Sequence, residues 1–207
     1  MGRIVARPRP SSHDGAMTDD GAEHEVWLVR HGETEWSRNG RHTSTTDLPL
    51  TPDGERVAAG VRDRLDDDDF SLVLTSPRLR ARETARLAGH AEAEVDADLA
   101  EWDYGDLEGE TSEEIRETYP GWTIWQGPVP GGESAADVSA RLDRVVARCR
   151  SAEGRVLVFG HGHSLRALTA RWLALPVTDG RHFRLDTATV SVLGYERETP
   201  VVLRWNS

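Results

Sequence analysis

The 207-residue sequence has no lysine, and all 25 of its basic residues are arginine. Codon bias from G+C-rich coding accounts for this most simply. The consequence is physical all the same: a cationic pocket here can be built only from guanidinium and imidazole groups. Cysteine is nearly absent too. Cys149 stands alone, so no intrachain disulfide can form, which fits a reducing compartment. No apolar run approaches the length of a membrane span. The first 25 residues are rich in Arg, Pro, Ser, Asp and Gly and lack the apolar centre of a secretory signal. Excess positive charge is also missing. The net charge is -11, which argues against nucleic acid and anionic membrane as partners. If the protein binds an anion, its positive charge must be gathered in one place. The cytoplasm is the expected location.

What remains is an ordinary globular composition, 37% hydrophobic and 29% charged, with the length of one domain. Residues 1–24 read as a flexible leader, with Met17 a candidate natural start, and residues 25–207 as the domain. Asp66 to Asp69 is the one solid acidic run. Short apolar runs alternate with helical patterns. This predicts an α/β fold: a three-layer sandwich with a mainly parallel central sheet and helices on both faces. Val26–Arg30, Ser71–Thr75 and Arg155–Gly160 read as strands. Thr187–Tyr195 and Val201–Trp205 read as a closing strand pair. Thr51-Pro52 opens a helix to about Leu65, and Ser76-Pro77 repeats that start for a helix to about Ala88. Thr111 and Glu114 form a capping box for a short helix that ends by Tyr119, before Pro120. Ser134 caps a long helix to about Arg150. Ser164–Leu175 reads as a helix with Leu165, Leu168, Trp172 and Leu175 on one face. Residues 101–109 and the Trp-bearing 120–132 read as loops.

The sharpest polar clusters each follow a predicted strand: Arg30-His31-Gly32, Ser76 to Arg80, and His161-Gly162-His163. Open α/β sheets bind ligands at those strand ends, so three distant segments can share one pocket. Arg78, Arg80 and Arg82 crowd the start of a helix, where cations oppose the dipole and a bound anion would offset them. Helical spacing puts Arg80 on the side away from Arg78 and Arg82. His161 and His163 have no nearby Cys or carboxylate at a familiar metal spacing, so one reads as a pocket residue and the other as its support. Glu101, beside Trp102 and Tyr104, reads equally as a general acid in an aromatic setting and as an exposed loop acid. Trp122 and Trp125 either cover the pocket or pack on the domain.

These pieces together resemble the histidine phosphatase superfamily, also called phosphoglycerate mutase-like. The matching blocks are Leu28–Trp36 (LVRHGETEW), Thr75–Thr84 (TSPRLRARET), Glu101–Gly109 (EWDYGDLEG) and Gly160–Leu168 (GHGHSLRAL). They occur in the family's order. The resemblance implies a neutral His31 as nucleophile and Glu101 as proton donor. It implies Arg30, Arg80 and a charged His161 as phosphate-binding residues. Ser37 occupies a phosphate-binding position where Asn is usual, and Ser44 stands where Gly is usual. Trp36, His42, Thr43, Trp102, Tyr104 and His163 are the implied substrate-pocket residues. No cofactor and no metal is implied, the partner is a small phosphorylated molecule, and a homodimer stays open. The nearest branch is the small acid phosphatase and sedoheptulose-bisphosphatase-like group, acting on small sugar phosphates or a broad range of monoesters. The alternatives are a phosphoglycerate mutase-type phosphotransferase, or a non-catalytic phosphate-binding module. The mutases are less similar, because residues 118–140 contain no basic residue to hold a substrate carboxylate.

Overall fold

The computed structural model describes residues 24–65 and 69–207. The expected leader therefore lies outside the described residues except for His24, as do Asp66, Asp67 and Asp68. The strands are β1 (Val26–Arg30), β2 (Phe70–Thr75), β3 (Glu94–Val95), β4 (Arg155–Gly160), β5 (Val190–Glu196) and β6 (Thr199–Arg204). They form one sheet in the order β3-β2-β4-β1-β5-β6. The first four of that order run parallel, and β5 and β6 close the sheet antiparallel. The expected fold class is what is found.

Alternation along the central strands explains the two cores. Val26, Leu28, Val156 and Val158 face one side, with Val138, Leu142, Leu165 and Leu168. Trp27, Val29, Leu157 and Phe159 face the other, with Val61, Leu65, Ala85 and Ala88. Strands buried on both faces must be apolar at every position, as VWLVR and RVLVFG very nearly are. The first face is covered by α5 (Ala135–Ser151) and α6 (Gly162–Trp172). The second is covered by α2 (Pro52–Gly60) and α3 (Leu79–Leu87). Short helices α1 (Glu35–Arg38) and α4 (Ser112–Thr118) lie in the loops.

Register brings the three polar clusters level. Arg30 pairs with Gly160, and Thr75 with Phe159. The next residues stay tied to the same edge: the His31 N–H donates to Gly160 O at 3.0 Å, and the Ser76 N–H to Phe159 O at 3.0 Å. His31, Ser76 and His161 thus leave adjacent strands at one edge of the sheet.

Three helix boundaries differ from expectation. α2 stops at Gly60 and continues as a 3-10 turn over Arg62–Arg64. α3 starts at Leu79 rather than at Pro77, because Asp47 caps it from another loop, accepting the Leu79 N–H at 2.7 Å. Ser76 is released from the capping role. α6 begins at Gly162 and has no side-chain cap of its own. Glu101 supplies one from the loop, accepting from the His163 and Ser164 amides at 3.0 and 2.7 Å. A carboxylate at a helix N-terminus also meets the positive end of the dipole.

The turn carrying His31 packs directly on α2. A Cβ on Gly54 would lie 2.2 Å from Glu33 O, and one on Gly32 would lie 2.7 Å from Gly54 O. Both neighbours are backbone and cannot swing aside. Gly54→Ala should therefore destabilise the fold by about 1–3 kcal/mol, measured by urea denaturation. It should also lower activity by displacing the His31 turn. A fully stable, fully active variant would contradict this packing.

Candidate active site

His31 is buried at the end of β1. Its Nδ1 lies 2.7 Å from the Gly32 carbonyl oxygen. A carbonyl can only accept, so Nδ1 carries the hydrogen and Nε2 keeps its lone pair. Burial, with Arg80 and Arg30 nearby, pushes the His31 pKa well below the usual 6.5, against a smaller opposing effect of the Gly32 bond. The ring is therefore neutral near pH 7, as a nucleophile must be. The imidazole of His161 meets it edge to face, with ring centroids 5.2 Å apart.

Arg80 is fully buried on α3. Its guanidinium donates to the carbonyls of Thr46, Thr43 and Ser44 at 3.1, 2.9 and 3.4 Å. The loop bearing those carbonyls is pinned by Glu108, which accepts from the Ser44 N–H and Oγ and from the Thr46 N–H. The departure to serine at position 44 thus adds a bond to this clamp. Arg30 donates to Leu185 O at 2.6 Å. Neither arginine has a carboxylate within 4 Å among the described residues. Four buried nitrogens of these residues and of Arg78 and His161 have no hydrogen-bond partner: Nε of Arg30, Arg78 and Arg80, and Nδ1 of His161. Buried orphans of this kind are rare, and each calls for a cause.

A cavity of about 160 Å³ opens beside His31. Arg30, Ser37, His42, Thr43, Glu101, Tyr104 and His163 line it, together with Arg41 and Arg166. The Glu101 carboxylate is fixed there by the three amides of Trp102, His163 and Ser164. The Tyr104 hydroxyl and His163 Nδ1 are 2.6 Å apart. Burial, reinforced by Glu101, holds the Tyr104 phenol well above its usual range. Burial first, then Arg166, holds His163 well below its own. One proton therefore sits between two neutral groups. Trp122 and Trp125 are both buried, with ring centroids 5.2 Å from His42 and 5.3 Å from His163. They back the cavity wall instead of covering its mouth.

Several expectations need correction. Trp102 is no pocket residue: it is 1% exposed, its indole donates to Glu133 O at 2.9 Å, and it packs in the α5 core. Trp36 packs across Gly109, outside the cavity lining, where glycine alone leaves room for the ring. Ser37 does line the cavity, but its hydroxyl proton is given to Thr34 O at 3.0 Å, leaving none for a phosphate oxygen. The surroundings of His161 oppose its expected charge. Burial, then Arg80, His31, Arg78 and Arg30, push its pKa well below 6.5. Along α3, Arg80 is buried and Arg82 exposed, as expected, while Arg78 is half-buried. The pattern missed Arg166 and Arg41. Arg166 was within reach, since it follows His163 by three residues on α6 and must share its face. Arg41 carries no comparable signal; its position depends on a bridge to Thr111 and an ion pair with Glu114 at 3.3 Å.

The depressed histidines bear on stability. Above pH 6.5 they are neutral in folded and unfolded chains alike. Below it the unfolded chain takes up protons first, so stability falls with falling pH. His42, lowered to about 4 chiefly by burial, should alone account for on the order of 3 kcal/mol lost across that window. The melting temperature should drop from pH 7 to pH 4, and His42→Gln should flatten the slope. An unchanged slope in the variant would contradict the assignment.

Comparison with known proteins agrees with this geometry. Residues 26–207 match the histidine phosphatase superfamily (branch 1). An acid phosphatase of Mycobacterium tuberculosis is 43% identical over 178 residues, covering 84% of this chain and 87% of that protein. A sedoheptulose 1,7-bisphosphatase of Saccharomyces cerevisiae is 39% identical over 183 residues, covering 72% and 68%. A solved structure of an open reading frame from Mycobacterium tuberculosis superposes with a TM-score of 0.85 at 40% identity, covering 88% of this chain and 97% of that one. The neutral imidazole, the buried arginines and the match over the whole sheet agree: this chain belongs to the histidine phosphatase superfamily, branch 1.

Proposed function

We propose that this phosphatase hydrolyses phosphate monoesters of small sugars through a phosphohistidine formed at Nε2 of His31. One observation carries the reading: Arg30, Arg80 and His161, each with a buried, unpartnered nitrogen, stand beside a neutral imidazole whose free lone pair is Nε2. A phosphoryl group is rich in acceptor oxygens and matches such donors.

The first step forms an Nε2–phosphorus bond and breaks the bond from phosphorus to the leaving oxygen. Negative charge spreads over the equatorial oxygens, and Arg30 and Arg80 stabilise it without reorganising. Protonated Glu101 gives its proton to the departing alcohol. In the second step water attacks phosphorus, the bond to Nε2 breaks, and Glu101 takes a proton from the water. The enzyme is restored, with alcohol and phosphate as products. The polar wall of His42, Thr43, Tyr104, His163 and Arg166 supports a hydroxylated substrate. The relative that acts on a sedoheptulose bisphosphate, by its name, supports the same class. We place the enzyme in the cytoplasm on its single, buried cysteine. Among the described residues no helix is long and apolar enough to cross a membrane.

His31→Ala should abolish turnover, and rapid quenching of the wild type should trap one phosphoryl group on residue 31 by mass spectrometry. Substantial hydrolysis by the variant would remove the nucleophile assignment. Arg80→Ala should lower kcat/KM by about 10²–10³-fold, the range for losing one preorganised charge-stabilising donor. Since His31 stays neutral well below pH 6.5, the acid limb of kcat/KM should also lie well below 6.5. A limb at 6.5 would speak against the neutral nucleophile. In a kinetic screen, sugar phosphates should exceed nucleotides in kcat/KM.

A further inference from the structure

Ser76 looks like a helix cap in sequence and is not one. It is fully buried at the end of β2. Its Oγ has two neighbours: the Arg78 amide at 3.3 Å and His161 Nε2 at 2.6 Å. An amide N–H only donates, so that contact uses a lone pair of Oγ. Of these two neighbours only His161 Nε2 can accept, so a hydroxyl hydrogen that is satisfied goes to it. A neutral imidazole that accepts at Nε2 must carry its own hydrogen on Nδ1.

The far side of the ring agrees. His161 Nδ1 is buried and unpartnered, like the Nε atoms of Arg30, Arg78 and Arg80. Those three arginine nitrogens can only donate. With its hydrogen on Nδ1, His161 joins them as a donor, and the oxygens of a phosphoryl group accept from such donors. With its hydrogen on Nε2, it would carry a bare lone pair at Nδ1 instead. Phosphoryl oxygens would then meet repulsion from that side.

From this we infer that Ser76 is a positioning residue: its hydroxyl fixes the tautomer of His161, so that Nδ1–H donates to the phosphoryl group transferred at His31. The inference deepens the phosphatase reading and rests on it for the identity of the bound group. It divides the cradle into fixed cations, which neutralise charge, and one uncharged donor, which orients. An uncharged donor draws less electron density from the adjacent His31 than an imidazolium would, so the nucleophile keeps its basicity. Burial, then Arg80 and the other nearby cations, keep His161 in the uncharged form that this role requires.

The tautomer can be read without turnover. In ¹⁵N-histidine-labelled wild-type protein, with His161 assigned by loss of its signals in His161→Gln, long-range ¹H–¹⁵N correlations should show Nδ1 protonated and Nε2 bare. An Nε2–H form in the wild type overturns the inference, whatever the enzyme's activity. Ser76→Ala should mix the tautomers and lower kcat/KM by about 10–100-fold, the range for losing a partner that orients a functional histidine. It should also weaken inhibition by inorganic phosphate. Ser76→Thr keeps the hydroxyl and should restore the Nδ1–H form together with most of the activity. A folded Ser76→Ala protein with wild-type tautomer, kcat/KM and phosphate affinity would also overturn it. If Ser76→Ala fails to fold, the wild-type spectrum still decides. If the tautomer holds but no phosphoryl group can be trapped on residue 31, the phosphohistidine chemistry fails and the Ser76–His161 relation stands.

Discussion

Arg80 lies wholly inside the protein, and its guanidinium rests on the carbonyls of Thr43, Ser44 and Thr46. Removing a charge from water is costly, and an opposing carboxylate is the usual compensation. Carbonyl dipoles are weaker partners. They hold the group in place and leave its charge uncancelled. Much of the surrounding architecture follows from that choice. Glu108 must pin the 43–46 loop so that its carbonyls stay aimed inward. Asp47 must cap α3 so that the helix carrying Arg80 starts where it does. The imidazoles packed beside these cations are driven to their neutral forms by burial first and by the cations second. Elsewhere in this acidic chain arginines commonly meet acids, as Arg141 meets Glu133 and Arg144 meets Asp98. Among the described residues, Arg30 and Arg80 beside His31 meet none within ion-pair distance.

Much of this was legible in the residues. β1 and β4 announce themselves because strands covered on both faces have nowhere to place a polar side chain. Their parallel register then obliges the residues that follow them to share an edge. That made His31, His161 and the Ser76 segment readable as one neighbourhood, and Glu101 joined them through the family resemblance. What stayed hidden depended on distant partners. Nothing local to Ser76 shows that Asp47 will take over the capping of α3. Nothing beside Trp102 shows that its indole will find Glu133 O and turn into the core. Trp36 settles on the bare backbone of Gly109, far along the chain. The downward push on the His161 pKa was illegible for a related reason. Sequence names the arginines near it, but only the fold says how completely water is excluded.

The two helices bordering the site share a construction. Neither α3 nor α6 has a side-chain cap from its own first residues. Each borrows a carboxylate from another segment: Asp47 for α3, Glu101 for α6. Glu101 is thereby tied to the backbone of the helix that begins beside His161. Glu101 and His161 share one rigid junction at the end of β4, where helix packing resists the small displacements that degrade catalysis.

The cavity divides into parts of different origin. The side that meets phosphorus is made by strand ends and helix starts, each locked by backbone bonds to the sheet edge. The opposite side comes from the 40–43 segment, Tyr104, Leu185 and one face of α6. Connecting segments tolerate substitution far better than the scaffold beneath them. A lineage of this protein could therefore trade one leaving group for another by rewriting the 40–43 segment and its neighbours, while the machinery for moving phosphorus passed down untouched.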